Sequence, residues 1–192
     1  MPLTIGQMTT AIRDNNIRLG WRRPEGGPGD NTLGDYLFLM AEEIGEVCSD
    51  YRRFRLADIT DNSHVNAAGL PNPKGVPSEF ADLLIRLLDM ADVFGLPIDP
   101  GFELADLGNL DPTVSDPALP PLTTFGDHMA WLCRRIDRIW TRPYAAPVAL
   151  NALVTIARKY GIDLEAEFLR KHAYNCTREY RHGGALAEPV GA

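Results

Sequence analysis

The chain has few cysteines, no long apolar run and no excess of positive charge, and each of these absences excludes a class of protein. Its three cysteines, Cys48, Cys133 and Cys176, form no C-x-x-C pair, which excludes a zinc ribbon and indicates reduced thiols. No apolar run approaches the roughly 20 residues that span a bilayer. The opening M-P-L-T-I-G-Q-M-T-T lacks the basic and apolar regions of an export signal. We therefore predict a cytoplasmic protein with no membrane partner.

The net charge of −7 argues against a general nucleic-acid-binding protein, so no nucleic-acid partner is expected. A small anionic ligand stays compatible with this charge, because positive side chains can be concentrated locally. The chain has 192 residues, 45% of them hydrophobic, which is ample for the core of one globular domain. We predict a single all-α domain over residues 1–192.

Apolar residues recur at helical spacing along most of the chain, and no segment shows a convincing strand alternation. Residues 57–78 contain P-N-P-K-G-V-P and are predicted as a loop or a short irregular excursion, and the proline-rich residues 106–124 as a connector. We divide the domain into a half with acidic helices (1–99), an inserted or repeat-like segment (100–160), a closing helix with a basic tail (161–184) and a disordered end (185–192). The predicted helices cover about Leu3–Leu19, Leu33–Leu56, Ser78–Phe94, Thr124–Trp140, Ala146–Tyr160 and Leu164–Arg178.

Two spaced pairs of carboxylates are the most informative feature of the sequence. Glu43 and Glu46 lie in A-E-E-I-G-E-V, and Glu79 and Asp82 lie in S-E-F-A-D-L-L-I-R-L-L-D. A separation of three residues places both acids of a pair on one side of a helix. Four carboxylates brought together cannot all stay ionised without a cation among them. The two pairs therefore predict a site for a divalent metal ion.

The positions of these acids around their helices support a metal site over a solvated surface. At roughly 100° per residue, Glu43 lies about 60° from the apolar stripe through Met40, whereas Glu42 lies on the far side. Glu79 and Asp82 border the apolar face of the later helix in the same way. A cleft lined by oxygen ligands suits Mg²⁺ or Mn²⁺. The alternative is that the acids are solvent-facing or paired with basic residues.

A weak internal repeat relates the two halves of the chain. T-L-G-D at Thr32 recurs as T-F-G-D at Thr124, and on this offset Glu43 and Glu46 fall on arginines. In the next helix Glu79 and Asp82 fall on alanine and valine. Either the second half is a degenerate copy that lost its acids, or two amphipathic helix pairs align by chance. Both interpretations predict one acidic site per chain.

These motifs, together with the C-terminal run, resemble the MazG-like all-α nucleoside triphosphate pyrophosphohydrolases. That family has E-E-x-x-E on one helix and E-x-x-D on the next, and this chain has E-E-I-G-E at 42–46 and E-F-A-D at 79–82. The run K-H-A-Y-N-C-T-R-E-Y-R-H-G-G at 171–184 resembles the family's basic tail. The gap between the acidic motifs is longer than usual, and residues 100–160 intervene where most members are shorter. The resemblance covers well over a third of the chain.

The resemblance implies a helical bundle that hydrolyses a nucleoside triphosphate to its monophosphate and diphosphate. Glu43, Glu46, Glu79 and Asp82 would hold one to three Mg²⁺ or Mn²⁺ ions, and Glu46 would accept a proton from the attacking water. The resemblance also implies a homo-oligomer, either a dimer or a tetramer. The alanine-, arginine- and proline-rich composition suggests a GC-rich bacterial or phage genome, and phage relatives favour a preference for dGTP or GTP.

Basic residues near the C-terminus are candidates to bind the triphosphate. Lys171, Asn175 and Arg178 share one helical face, and Arg181 follows them. The alternative is a basic helix end that complements the helix dipole. Lys74, His172 and His182 have less support. Candidates to contact the base are Trp21 and Tyr36 first, then Phe38, Trp131, Asn15 and Asn16.

Two other functions remain open on the sequence alone. One is a pyrophosphatase directed at dUTP or dCTP, which would keep the same site. The other is a non-catalytic helical protein whose acids hold a structural metal ion or a partner.

Overall fold

The computed structural model describes residues 1–66, 68–111 and 121–179, and these residues form a mostly helical protein with one small sheet. The six α-helices of these ranges are α1 (Ile5–Arg18), α2 (Leu33–Phe54), α3 (Val76–Val93), α4 (Phe125–Thr141), α5 (Ala146–Lys159) and α6 (Leu164–Asn175). The two strands are β1 (Ile59–Val65) and β2 (Pro71–Lys74), and short 3-10 turns lie at Leu104–Asp106 and Pro143–Ala145. The predicted all-α class is confirmed at this coarse level, apart from the sheet. The predicted disordered end at 185–192 and residues 112–120 of the connector lie outside the described residues.

Local sequence signals explain where several helices begin. Thr32 accepts a hydrogen bond from the Asp35 amide while the Asp35 carboxylate accepts one from the Thr32 amide, a reciprocal cap that starts α2. Thr124 and Asp127 form the same cap at the start of α4. The T-x-G-D repeat noted in the sequence is therefore a repeated capping box.

Helix α3 is the centre of the fold, since it packs against α1, α2, α5, α6 and β2. Phe80, Leu83, Leu84 and Leu87 are completely or almost completely buried on it. Burial of each such side chain stabilises the fold by about 1.5–3 kcal/mol. One hydrophobic cluster draws residues from all six helices. Acids at the border of α3 are consequently held on a helix that is packed on several sides.

The segment predicted as a loop at 57–78 instead contains an antiparallel hairpin, so that prediction was wrong. Ile59 pairs with Lys74, Thr60 with Pro73 and Asp61 with Asn72. Prolines normally argue against a strand, because they cannot donate a ladder hydrogen bond, and this hid β2 in the sequence. A salt bridge of 3.0 Å between Lys74 Nζ and Asp61 Oδ2 joins the two strands.

The helix pair α4 and α5 carries no acids at the positions that the repeat makes equivalent to the acids of α2 and α3. Helix α4 contacts both α2 and α5, and α5 also contacts α3. Arg135, at the position equivalent to Glu43, is buried with its guanidinium carbon 5.5 Å from the centre of the Trp131 ring. The acidic site therefore lies between α2 and α3, as the sequence predicts.

Alanine in place of Gly75, just before α3, is expected to destabilise the protein more than alanine in place of Gly69. Both glycines have positive φ (91° and 76°), which costs a side chain about 1–2 kcal/mol. At Gly75 a Cβ would also lie 2.7 Å from the Ala57 carbonyl oxygen, whereas Gly69 has open space. Urea denaturation should show Gly75→Ala losing at least about 1 kcal/mol more than Gly69→Ala. Equal losses would show that this contact relaxes freely.

No helix in the described ranges is both long enough and apolar enough to cross a membrane.

Candidate metal site

Three of the four predicted acids converge at the packed surface between α2 and α3. One carboxylate oxygen each from Glu43, Glu79 and Asp82 lies within 4.8 Å of the other two. Glu43 is 8% exposed and Glu79 5% exposed, so these are buried acids and not a solvated surface. Carboxylates this close and this buried repel one another strongly, and a cation among them would relieve the repulsion.

Glu46, the fourth predicted acid, lies one turn along α2 from Glu43 and is exposed. It lines the same cleft as the other three but lies outside their cluster of oxygens. Its charge still acts on the site, because it contributes to raising the pKa of both Glu43 and Glu79. Glu42 is also exposed, as the sequence predicts.

Glu79 is the most perturbed acid of the cluster. Burial raises its pKa to about 8, the positive charge of Lys171 opposes this rise, and Asp82, Glu46 and Glu43 add to it. Its Oε2 atom is buried and has no hydrogen-bond partner. An unpartnered buried carboxylate oxygen is costly unless it binds something. The residues therefore fit a hard divalent cation such as Mg²⁺ or Mn²⁺.

Glu43 is held by Arg86, one of whose guanidinium nitrogens (Nε) donates to Glu43 Oε1 at 3.1 Å. Burial raises the pKa of Glu43, the charge of Asp82 adds to this rise, and Arg86 opposes it. The pairing fixes the orientation of the carboxylate and leaves its other oxygen for a ligand.

The metal-free protein is expected to lose stability as the pH rises toward 8. The Glu79 carboxyl ionises near 4.5 in the unfolded chain but near 8 in the folded protein. Between these values the folded state holds a proton that the unfolded state has released. The resulting stabilisation is complete below about 4.5 and lost as the pH rises through about 8. Urea denaturation in a chelator, at about pH 5 and about pH 8, should therefore show wild type losing stability relative to Glu79→Gln. A difference between the two proteins that does not change with pH would contradict the assignment.

Only part of the predicted phosphate-binding group can be described. Lys171 is not free to bind an anion, because its Nζ lies 2.6 Å from Asp82 Oδ2 and is itself buried. Asn175 and Arg178 line the cleft, and Asn175 Oδ1 is buried without a partner. The Arg178 guanidinium carbon lies 5.6 Å from the centre of the Tyr174 ring. Arg181 and His182 lie outside the described residues.

The cleft that contains the acids has a volume of about 760 Å³. Lys74, His172, Asn15, Asn16 and Trp21 also line it, so α1, β2 and α6 complete its walls. This volume lies in the range typical of small-molecule sites.

Tyr36, which was predicted to contact the base, lines the cleft, but little of its surface is accessible there. Its ring is 3% exposed and packs edge-on against Phe94, and its hydroxyl donates to Asp89 Oδ2 at 2.9 Å. Trp131 is buried in the core, and the exposed Phe38 does not line the cleft. Trp21 also lines the cleft and is 37% exposed, so more of its surface is accessible to a ligand.

Sequence reasoning missed a buried charge network behind the cleft wall. Arg22 has no exposed side-chain surface, and it pairs with Asp89 at 2.6 Å and Asp92 at 2.5 Å. Arg13 also pairs with Asp92. The network fastens the loop that carries Trp21 to α3. Partners 67 and 70 residues apart leave no local signal in the sequence.

Asp50 was missed as well. It lines the cleft one turn beyond Glu46 on α2, and its Oδ2 accepts a hydrogen bond from the Gly75 amide at 3.0 Å. This bond ties α2 to the start of α3. It therefore helps to fix the position of Glu79 on α3 relative to Glu43 on α2.

Comparisons of the chain with protein-family models, with curated proteins and with solved structures find no match.

Proposed function

We propose that the protein is a metal-dependent nucleoside triphosphate pyrophosphohydrolase of the MazG-like type. The observation that carries the proposal is the cluster of Glu43, Glu79 and Asp82, with a buried unpartnered Glu79 oxygen, in a cleft of about 760 Å³. The sequence motifs on α2 and α3 resemble that family, and the packing of these helices is compatible with its bundle. A homo-oligomer, dimer or tetramer, belongs to the proposal on the resemblance alone.

The metal-binding residues would be Glu43, Glu46, Glu79 and Asp82, and the ion would be Mg²⁺ or Mn²⁺. When bound, such an ion neutralises charge on the triphosphate and makes a water molecule more acidic. Because Glu43 and Glu79 are buried, bulk water is excluded from one side of the site. Electrostatic interactions between these carboxylates and a bound ion are therefore weakly screened.

Other residues of the cleft would position the substrate and move a proton. Glu46 is the exposed acid of the site and would accept the proton of the attacking water. Asn175 and Arg178 would donate hydrogen bonds to the phosphates. Trp21, at the cleft edge, would contact the base. We propose dGTP or GTP as the preferred substrate, with dUTP or dCTP as the alternative.

One observation favours a second, non-catalytic function. Two acids of the cluster already have basic partners, since Arg86 pairs with Glu43 and Lys171 with Asp82. Such pairs would also suit a structural centre that holds helices together without chemistry. The unpartnered Glu79 oxygen is the reason to prefer the hydrolase.

A screen of the common ribo- and deoxyribonucleoside triphosphates for pyrophosphate release, with Mg²⁺ and with Mn²⁺, tests the proposal. Release from a guanine nucleotide supports the proposed substrate, and release from dUTP or dCTP supports the alternative. Metal binding without cleavage of any nucleotide supports the non-catalytic function and rejects the hydrolase.

A further inference from the structure

We infer that Lys171 is a built-in cation of the acidic site, and that the nucleotide-free protein therefore binds a single divalent metal ion. The inference rests on the proposed metal site and adds the number of ions that it holds. In this inference Lys171 neutralises a carboxylate of the site, whereas the sequence suggested that it contacts a phosphate.

The surroundings of Lys171 are those of a fixed ammonium group. Its Nζ lies 2.6 Å from Asp82 Oδ2, 3.1 Å from Ser78 Oγ and 3.5 Å from the Pro73 carbonyl oxygen. An ammonium has three donors, and three acceptors surround this one. The residue is 5% exposed. Release of Lys171 toward a phosphate would leave the partly buried Asp82 and the fully buried Ser78 without this partner, which is unfavourable.

The space around the acids agrees with one ion. The three ligand oxygens lie within 4.8 Å of one another, and an ion with Mg–O distances of about 2.1 Å places opposite ligands about 4.2 Å apart. A second ion on Asp82 Oδ2 would have to occupy the position of the Lys171 ammonium. The cluster thus offers one ion position that no side chain fills.

The net charge of the acidic residues and their basic partners also indicates one divalent ion. Glu43, Glu46, Glu79 and Asp82 carry four negative charges when ionised, and Arg86 and Lys171 pair with two of them. Two negative charges remain, which one divalent ion balances. Substitution of Lys171 by a neutral residue would leave a third negative charge uncompensated. A second ion would then be favoured at Asp82.

Counting bound Mn²⁺ tests this inference without measuring activity. Mn²⁺ is titrated into the full chain without nucleotide, and the free ion is followed by its electron paramagnetic resonance signal. Wild type should bind one ion, and Lys171→Met should bind two. Arg170→Met is the matched control, because Arg170 is the preceding residue on α6 and pairs with Asp58 and Glu167, away from the cluster. It should bind one ion, as wild type does.

The possible results separate the inference from the proposed function. Two or more ions in wild type, or one ion in Lys171→Met, would overturn the inference. If Lys171→Met does not fold, Lys171→Gln is counted in its place, and the wild-type count tests the inference by itself. One ion in wild type and two in the variant, without cleavage of any nucleotide, would support the inference and reject the hydrolase. No bound ion in wild type would reject both.

Discussion

Replacement of Glu79 by glutamine is expected to abolish metal binding and nucleotide hydrolysis while making the metal-free protein more stable at neutral pH. Glu79 is the most buried acid of the cluster and has an oxygen without a partner. Glutamine keeps the shape of the side chain but removes the charge that a cation requires. Loss of one electrostatic group in a buried site typically lowers kcat by about 10²- to 10³-fold, and we expect at least that loss.

The gain in stability has a separate cause. Burial raises the pKa of Glu79 to about 8, so ionisation of this carboxyl at neutral pH works against the folded state. Glutamine is neutral at every pH and removes this penalty. A residue that lowers the stability of the metal-free fold is typically kept for function, because packing alone would favour a neutral side chain.

Glu42→Gln is the matched control for this prediction, because Glu42 lines the same cleft on α2 but is exposed. It should retain activity within a few fold and leave the free energy of unfolding unchanged. Activity is measured on the nucleotide that wild type cleaves, and stability by urea denaturation in a chelator. A fully active Glu79→Gln protein would show that this acid does not hold the metal ion.

Replacement of Arg22 by methionine should cause the largest loss of stability of any single exchange considered. The Arg22 side chain is completely buried between Asp89 and Asp92, and it also donates to the Asp89 carbonyl oxygen at 2.9 Å. Methionine fills much of the volume, but it leaves the Asp89 carboxylate with the Tyr36 hydroxyl as its one remaining hydrogen-bond donor in the part of the chain that the structure describes. Removal of one member of a buried pair costs about 3–5 kcal/mol, and we expect a loss in this range.

Arg23→Met provides the control, because Arg23 is adjacent but exposed. Surface exchanges usually change stability by less than about 0.5 kcal/mol. Urea denaturation of both variants should therefore separate them clearly. If Arg22→Met were as stable as Arg23→Met, the buried network would not fasten the Trp21 loop to α3.

The helices could be predicted because their signals are local. Apolar spacing located α2 and α3 to within two residues at each end, and the Thr32 and Thr124 caps are readable as T-x-G-D. The acids of the site were also readable, since a separation of three residues directs two side chains to one face. Neither signal depends on knowing which segments meet in space.

The parts that escaped prediction depend on contacts between distant segments. Lys171 comes to Asp82 from a helix that begins more than 80 residues later, and no spacing in the sequence reports that pairing. The hydrogen bond from the Tyr36 hydroxyl to Asp89, 53 residues away, likewise leaves no local signal in the sequence. The hairpin between α2 and α3 was hidden by Pro71 and Pro73, residues that usually exclude a strand.

Identification of the reaction products by ³¹P nuclear magnetic resonance is the most direct test of the central claim. The full chain is incubated with the nucleoside triphosphate that releases most pyrophosphate in the screen and with Mg²⁺, or with Mn²⁺ that is removed on a chelating resin before the spectrum is recorded. We predict signals of a nucleoside monophosphate and of pyrophosphate, growing in equal amounts and absent with Glu79→Gln. Formation of a nucleoside diphosphate with orthophosphate, or an unchanged triphosphate in every reaction, would contradict the account.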